Sequence, residues 1–244
     1  MNTNTPQEIN MNRTTAVTVG AFYLAALVTY GVGVGLIQSI VTAPDHLATM
    51  LGNSTQVIIG ALLMLINSVI VIGHGIMMFP ILKRYNERIP FGYLSARLAE
   101  GMVLAVGILF LLLQIPLSRE YVQSGAPEAA YFQALSTLSL QANFYAYQFG
   151  MIAVGFAGGL LNYVFYKVNL IPRGLAIWGL LGYVVLLSGS VVEVLGFDLR
   201  LIHTIPGGLW ELFIGVWLIA KGFGSSVFVP PAAKSGSAAE PLVS

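Results

Sequence analysis

The chain of 244 residues has no cysteine and very little charge. Without cysteine it forms no disulfide, offers no thiolate nucleophile and supplies no sulfur ligand to a metal. Asp, Glu, Lys and Arg make up 9% of the residues, whereas a soluble domain carries about 25%. The formal net charge is +1 and the basic residues form only short clusters, which argues against a nucleic-acid partner. Histidine is equally scarce, at positions 46, 74 and 203. No Ser-His-Asp or His-Glu-x-x-His arrangement is present, so no catalytic residue is assigned and an enzyme is the less favoured reading.

Apolar residues fill the space that charge leaves. Hydrophobic residues are 57% of the chain and the mean hydropathy is +0.81. They form blocks longer than the ~20 residues that cross a hydrocarbon core, which predicts an all-α, polytopic transmembrane bundle in contact with a lipid bilayer. Six spans are expected, near 16–43, 56–82, 92–117, 142–167, 174–197 and 202–221. The stretch from Tyr131 to Tyr147 is aromatic and only moderately apolar, and could begin as an interfacial helix. Residues 1–13 read as a polar tail, 14–223 as the membrane domain and 224–244, with Pro230-Pro231 and then Ala, Ser and Gly, as a disordered tail. The first apolar block is too long for a signal sequence and is expected to remain as a helix.

The basic residues set the orientation. Placing both termini in the cytoplasm puts Arg13, Lys83, Arg84, Arg88, Arg97, Lys167, Arg173, Lys221 and Lys234 inside, leaving only Arg119 and Arg200 outside. Two inner turns are alike: Asn86-Glu87-Arg88-Ile89-Pro90-Phe91-Gly92 and Asn169-Leu170-Ile171-Pro172-Arg173-Gly174. This is either a duplicated hairpin or shared turn chemistry, since proline at a first helical position loses no hydrogen bond. Gly31-x-x-x-Gly35 and Gly155-x-x-x-Gly159 predict close helix contacts. The glycines at 31, 33 and 35 lack the spacing and the preceding strand of a dinucleotide fingerprint.

Against this background the ionisable residues inside the spans stand out. A charge at the bilayer centre costs at least ~2.5 kcal/mol, so each is expected to face protein or water. Span two carries His74 with Asn67 on the same face, and span three carries Arg97 and Glu100 at i,i+3 spacing. Glu100 leads along its face to Gly107 and Gln114; Glu193 in span five lies with Gly182, Gly189 and Gly196. Span six places Glu211 near its middle, flanked by Gly208 and Gly215, and span four adds the neutral partners Asn143 and Gln148. Counting ~1.5 Å per residue from the helix starts gives two candidate clusters. One, at inner to middle depth, comprises Glu211, Glu100, His74, Asn67 and Arg97 and would bind substrate or protons. A secondary outer cluster would hold Glu193, His203, Gln148 and Gln114.

The three histidines fall at depths too different to share one zinc, and no cofactor is predicted, although a haem or metal held through His74 stays open. Three stretches resemble a bacterial membrane-protein family known only as a domain of unknown function, with roughly six spans. They are Arg97-Leu98-Ala99-Glu100-Gly101, Leu170-Ile171-Pro172-Arg173-Gly174 through Gly179, and Glu211 through Trp217-Leu218-Ile219-Ala220-Lys221-Gly222-Phe223. The resemblance implies the fold and a bacterial inner-membrane location, and brings no activity. Three functional classes are therefore carried forward. They are a proton-coupled carrier or binder of a small polar or cationic solute, an accessory subunit with a membrane partner or a second copy, and a membrane-embedded enzyme.

Overall fold

The computed structural model describes residues 6–124 and 129–224. Among them all regular structure is helical: α1 (Pro6–Val41), α2 (His46–Gly52), α3 (Ser54–Lys83), α4 (Ile89–Leu112), α5 (Gln114–Ser124), α6 (Ala129–Val168), α7 (Arg173–Val194) and α8 (Ile205–Ala220). A 3-10 turn over Ile202–Thr204 precedes α8. Six segments are long and apolar enough to cross a membrane, containing α1, α3, α4 with α5, α6, α7, and the 3-10 turn with α8. The protein is a multi-pass membrane protein with lipid-contacting helices.

Each spanning helix packs mainly against its predecessor and its successor, and α8 closes on α1. The result is a ring in chain order around a common interior. The turns on one side carry Lys83, Arg84, Arg88 and Arg173, and we call this the basic end. It is the end that the sequence expectation places in the cytoplasm.

The ring is held by close approaches at small residues. A Cβ on Gly33 of α1 would lie 2.7 Å from the Gly60 carbonyl oxygen of α3, and one on Gly20 would lie 2.6 Å from the Gly215 carbonyl oxygen of α8. Without a hydrophobic driving force between helices in lipid, such contacts supply the packing energy. The predicted Gly-x-x-x-Gly pairs act differently from expectation. Gly31 and Gly35 meet nothing within 4 Å, because the face of α1 that packs on α3 is the one bearing Gly33. In α6, Gly155 contacts Leu187 and Gly158 abuts the Tyr183 ring, while Gly159 is open. Arg13 completes the closure by donating from Nη2 to the Ile219 carbonyl, 2.7 Å, at the end of α8.

Several boundaries depart from the sequence expectation. Helix α1 reaches into the stretch expected to be a polar tail, starting at Pro6. The fourth span has no separate interfacial part. Its 40 residues form one helix, about 60 Å long at ~1.5 Å per residue against a ~30 Å hydrocarbon core. Its projecting start joins α2 and α5, which the sequence left as outer loops, in a small cap opposite the basic end. Asp45 Oδ1 accepts from Ala48 N to start α2. Ser136 Oγ donates to Gln114 Oε1 at 2.6 Å and lies 2.7 Å from His46 Nε2, tying α6 to α5 and α2. The predicted disordered C-terminal tail lies outside the described residues apart from Gly224.

The two similar turns are built differently. Asn86 Oδ1 accepts from the amides of Arg88 and Ile89, capping the start of α4. Asn169 instead takes φ +54 and ends α6, with the Leu170 amide bonded back to the Phe165 carbonyl. Their likeness is therefore shared turn vocabulary rather than one repeated geometry.

Candidate functional site

The interior of the ring contains a cavity of about 350 Å³ to which all six spanning segments contribute walls. That volume sits at the lower end of the ~300–1,000 Å³ typical of small-molecule sites. Asn67, His74, Arg97, Glu100 and Glu211 all line it. The five residues of the inner cluster thus come together from α3, α4 and α8, as their depths along the helices required.

Arg97 and Glu100 share one turn of α4 and form an ion pair, Nη1 to Oε2 at 2.7 Å. Both are buried, at 5% and 3% exposure, so neither charge is screened by bulk water. The guanidinium also stands 5.9 Å from the centroid of Tyr93. His74, at 1% exposure, places Nδ1 2.6 Å from the Tyr93 hydroxyl and stacks edge-on against Tyr23, with ring centroids 4.4 Å apart. Its Nε2 and the Nε of Arg97 have no hydrogen-bond partner among the described residues. Buried polar atoms of this kind are rare, and both side chains border the cavity.

Glu211 faces the cavity from α8 and is half-buried. Its Oε1 accepts from the Tyr183 hydroxyl at 2.8 Å, and among the described residues no Lys or Arg lies within ion-pair distance of it. With Arg97 matched to Glu100, one carboxylate in the cavity has no basic partner of its own. Tyr23, Tyr93 and Tyr183 lie within the field of Arg97 and Glu211.

Sequence reasoning missed these tyrosines. A signal was there, because Tyr favours the headgroup level whereas Tyr23, Tyr93 and Tyr183 fall inside spans and are fully buried.

Toward the basic end the cavity is closed by packed side chains. Tyr93, Tyr183 and Trp210 belong to a buried cluster there with Met78, Leu82, Leu161, Phe165 and Leu218. Trp210 is fixed by its Nε1 donating to the Leu175 carbonyl at 2.7 Å. The opposite side is less complete, with Tyr30, Gly31, Leu201 and Thr204 bordering the cavity while exposed or half-exposed themselves.

The outer cluster is brought together only in part. Glu193 Oε2 accepts from Gln148 Nε2 at 3.1 Å, and Glu193 Oε1 accepts from the Leu199 amide at 3.0 Å. His203 Nδ1 lies 3.8 Å from Glu193 Oε1, and its Nε2 is 3.5 Å from Ser190 Oγ. The Glu193 carboxylate thereby anchors the loop between α7 and α8, where Arg200 and Leu201 hold positive φ. Gln114 stands apart, in the cap with Ser136 and His46. It drops out because α5, beyond the turn residue Leu113, packs against α2 and the start of α6 in the cap. Asn143 bonds the Gly107 carbonyl at 3.0 Å and serves helix packing.

Among the described residues no three His, Asp or Glu side chains converge as a metal-ligand set. His74 offers the cavity a single nitrogen, Nε2.

Comparison with curated proteins and with solved structures yields no match. A family described as a domain of unknown function, DUF4386, matches residues 18–222. That match takes in all six spans, including the first two, which none of the three resembling stretches reached. The ring of helices, the cavity and its charged floor all fall within it, and the chain belongs to the DUF4386 family.

Proposed function

We propose that the protein binds a small organic cation in this cavity and exchanges it for a proton at Glu211, in the manner of a carrier in a bacterial cytoplasmic membrane. The observation that carries the reading is the unmatched carboxylate. Arg97 is paired with Glu100, so a cation entering the cavity meets Glu211 with no protein cation to displace. Tyr23, Tyr30 and Tyr147 border the same space and suit an ammonium ion, which is attracted to aromatic faces. In the empty state a proton on Glu211 removes the cost of a bare charge inside the bilayer. Binding releases that proton and substitutes one positive charge for another.

Ligand-dependent stability tests the binding step. Purified protein is heated with tetramethylammonium or propylammonium, against sodium at equal ionic strength. A ligand at 100 times its Kd stabilises the folded state by about 2.7 kcal/mol. The proposal expects a concentration-dependent rise in Tm with an ammonium ion that disappears in Glu211→Gln. No rise with either ion, or an equal rise in the variant, refutes it.

A second reading, an accessory subunit, draws on α1. This span is the least buried of the six and presents a long lipid-facing side that includes Val28 and Val32. A stoichiometric partner that co-purifies and is lost on substituting Val28 and Val32 would favour it.

A further inference from the structure

The cavity has a side door. Helices α1 and α8 are zipped together over their basic halves by Gly20 against Gly215, by Leu24 against Gly215 and by Arg13 on the last α8 carbonyls. Farther out, the close glycine approaches of each helix are to another neighbour. Gly33 holds α1 to Gly60 of α3, while Gly207 of α8 lies against Gly182 of α7. Across the gap stand Gly31 on α1 and Gly208 on α8, both bordering the cavity and both with nothing within 4 Å of where a Cβ would be. On the α1–α3 side, Phe22 covers Gly73 in the basic half and Gly33 meets Gly60 farther out. The residues flanking the gap on the outside are apolar and exposed: Val28 and Val32 on α1, Ile205, Leu209 and Leu212 on α8.

The charged side chains of the cavity are gathered at its deep end, while Asn67, Tyr30, Tyr147 and Thr204 add neutral polar groups elsewhere on the wall. Glu211 stands there without a basic partner among the described residues, with Glu100 held by Arg97, and the walls toward α1 and the outer end include Ala26, Leu27, Val34 and Leu104. We infer that the natural occupant is an amphiphile with an ammonium head and an apolar chain, entering from the outer leaflet between α1 and α8. The inference rests on the cation-binding reading of Glu211 and specifies the substrate class of that site. The head reaches Glu211, and the chain leaves through the gap into lipid, where it loses no apolar contact. A 350 Å³ cavity takes the head and the first few carbons, and the glycine-lined gap lets the remainder out.

Photolabelling in lipid nanodiscs tests this. The probe is dodecyltrimethylammonium with a diazirine at the far end of its chain, and labelled peptides are located by mass spectrometry. The expected pattern is labelling concentrated on residues 28–32 and 205–212. Excess tetramethylammonium and the Glu211→Gln substitution should each reduce it at least tenfold. Labelling spread evenly over the lipid-facing helices, or left unchanged in Glu211→Gln, overturns the side-entry inference. If tetramethylammonium still raises Tm while labelling is uniform, only the lateral route falls. If the Tm response is absent as well, the cation-binding reading falls with it.

Discussion

Replacing Glu100 by Gln isolates the energetics of the cavity floor. The side chain keeps its size, but Arg97 loses its ion-pair partner at 2.7 Å. Unit charges ~4 Å apart attract by about 4 kcal/mol at an effective dielectric of ~20. Removing one member of a buried pair costs about 3–5 kcal/mol, because a charge is left desolvated. Arg97 still feels Glu211 across the cavity, which argues for the lower part of that range. We expect Glu100→Gln to lose about 3 kcal/mol. A second substitution, Arg97→Met with Glu100→Met, should recover most of it, since matched apolar replacements of buried pairs are often neutral. The assay is reversible unfolding in mixed micelles of increasing SDS fraction. A single variant within about 0.5 kcal/mol of the wild type, or a double variant worse than the single, would refute the argument that this pair is buried and mutually compensating.

Three further outcomes follow from the packing and topology. Gly20→Val drives a side chain into the α8 backbone 2.6 Å away and should cost about 1–3 kcal/mol, whereas Gly35→Ala, at an open site, should be neutral or slightly stabilising in the same unfolding assay. Ser136→Ala leaves Gln114 Oε1 without its buried donor at a cost of about 1–3 kcal/mol, and hydrogen exchange should rise in α2 and α5 while the ring is unaffected. Because the protein has no cysteine, single substitutions report topology directly. In intact cells Glu120→Cys should react with a membrane-impermeant maleimide, and Glu87→Cys only after permeabilisation.

How much of this was readable beforehand depends on whether a property is local. Span number was legible, since length and hydropathy act segment by segment. Convergence of Asn67, His74, Arg97, Glu100 and Glu211 was legible too, because in a bilayer depth is one coordinate and a polar residue has few places to face. The neighbour across each helix face was not. Gly31 and Gly33 are adjacent glycine choices on one helix, and only the packing angle of α1 decides that Gly33 meets Gly60. Gln114 followed the heptad line from Glu100 on paper, yet α5, beyond the turn residue Leu113, holds it in the cap. The tyrosines were hidden by their usual interfacial role, which masks a hydroxyl placed in the core to meet His74 or Glu211.

The central claim is that Glu211 exchanges a proton for an organic cation, and cation-driven proton flux tests it most directly. Proteoliposomes with a trapped pH dye are given an inward gradient of tetramethylammonium, a permanently charged ion that does not cross lipid in neutral form. One cation entering for each proton leaving predicts that the lumen turns alkaline with wild-type protein and stays unchanged with Glu211→Gln. A lumen that does not respond with the wild type, or responds equally with Glu211→Gln, would contradict the account.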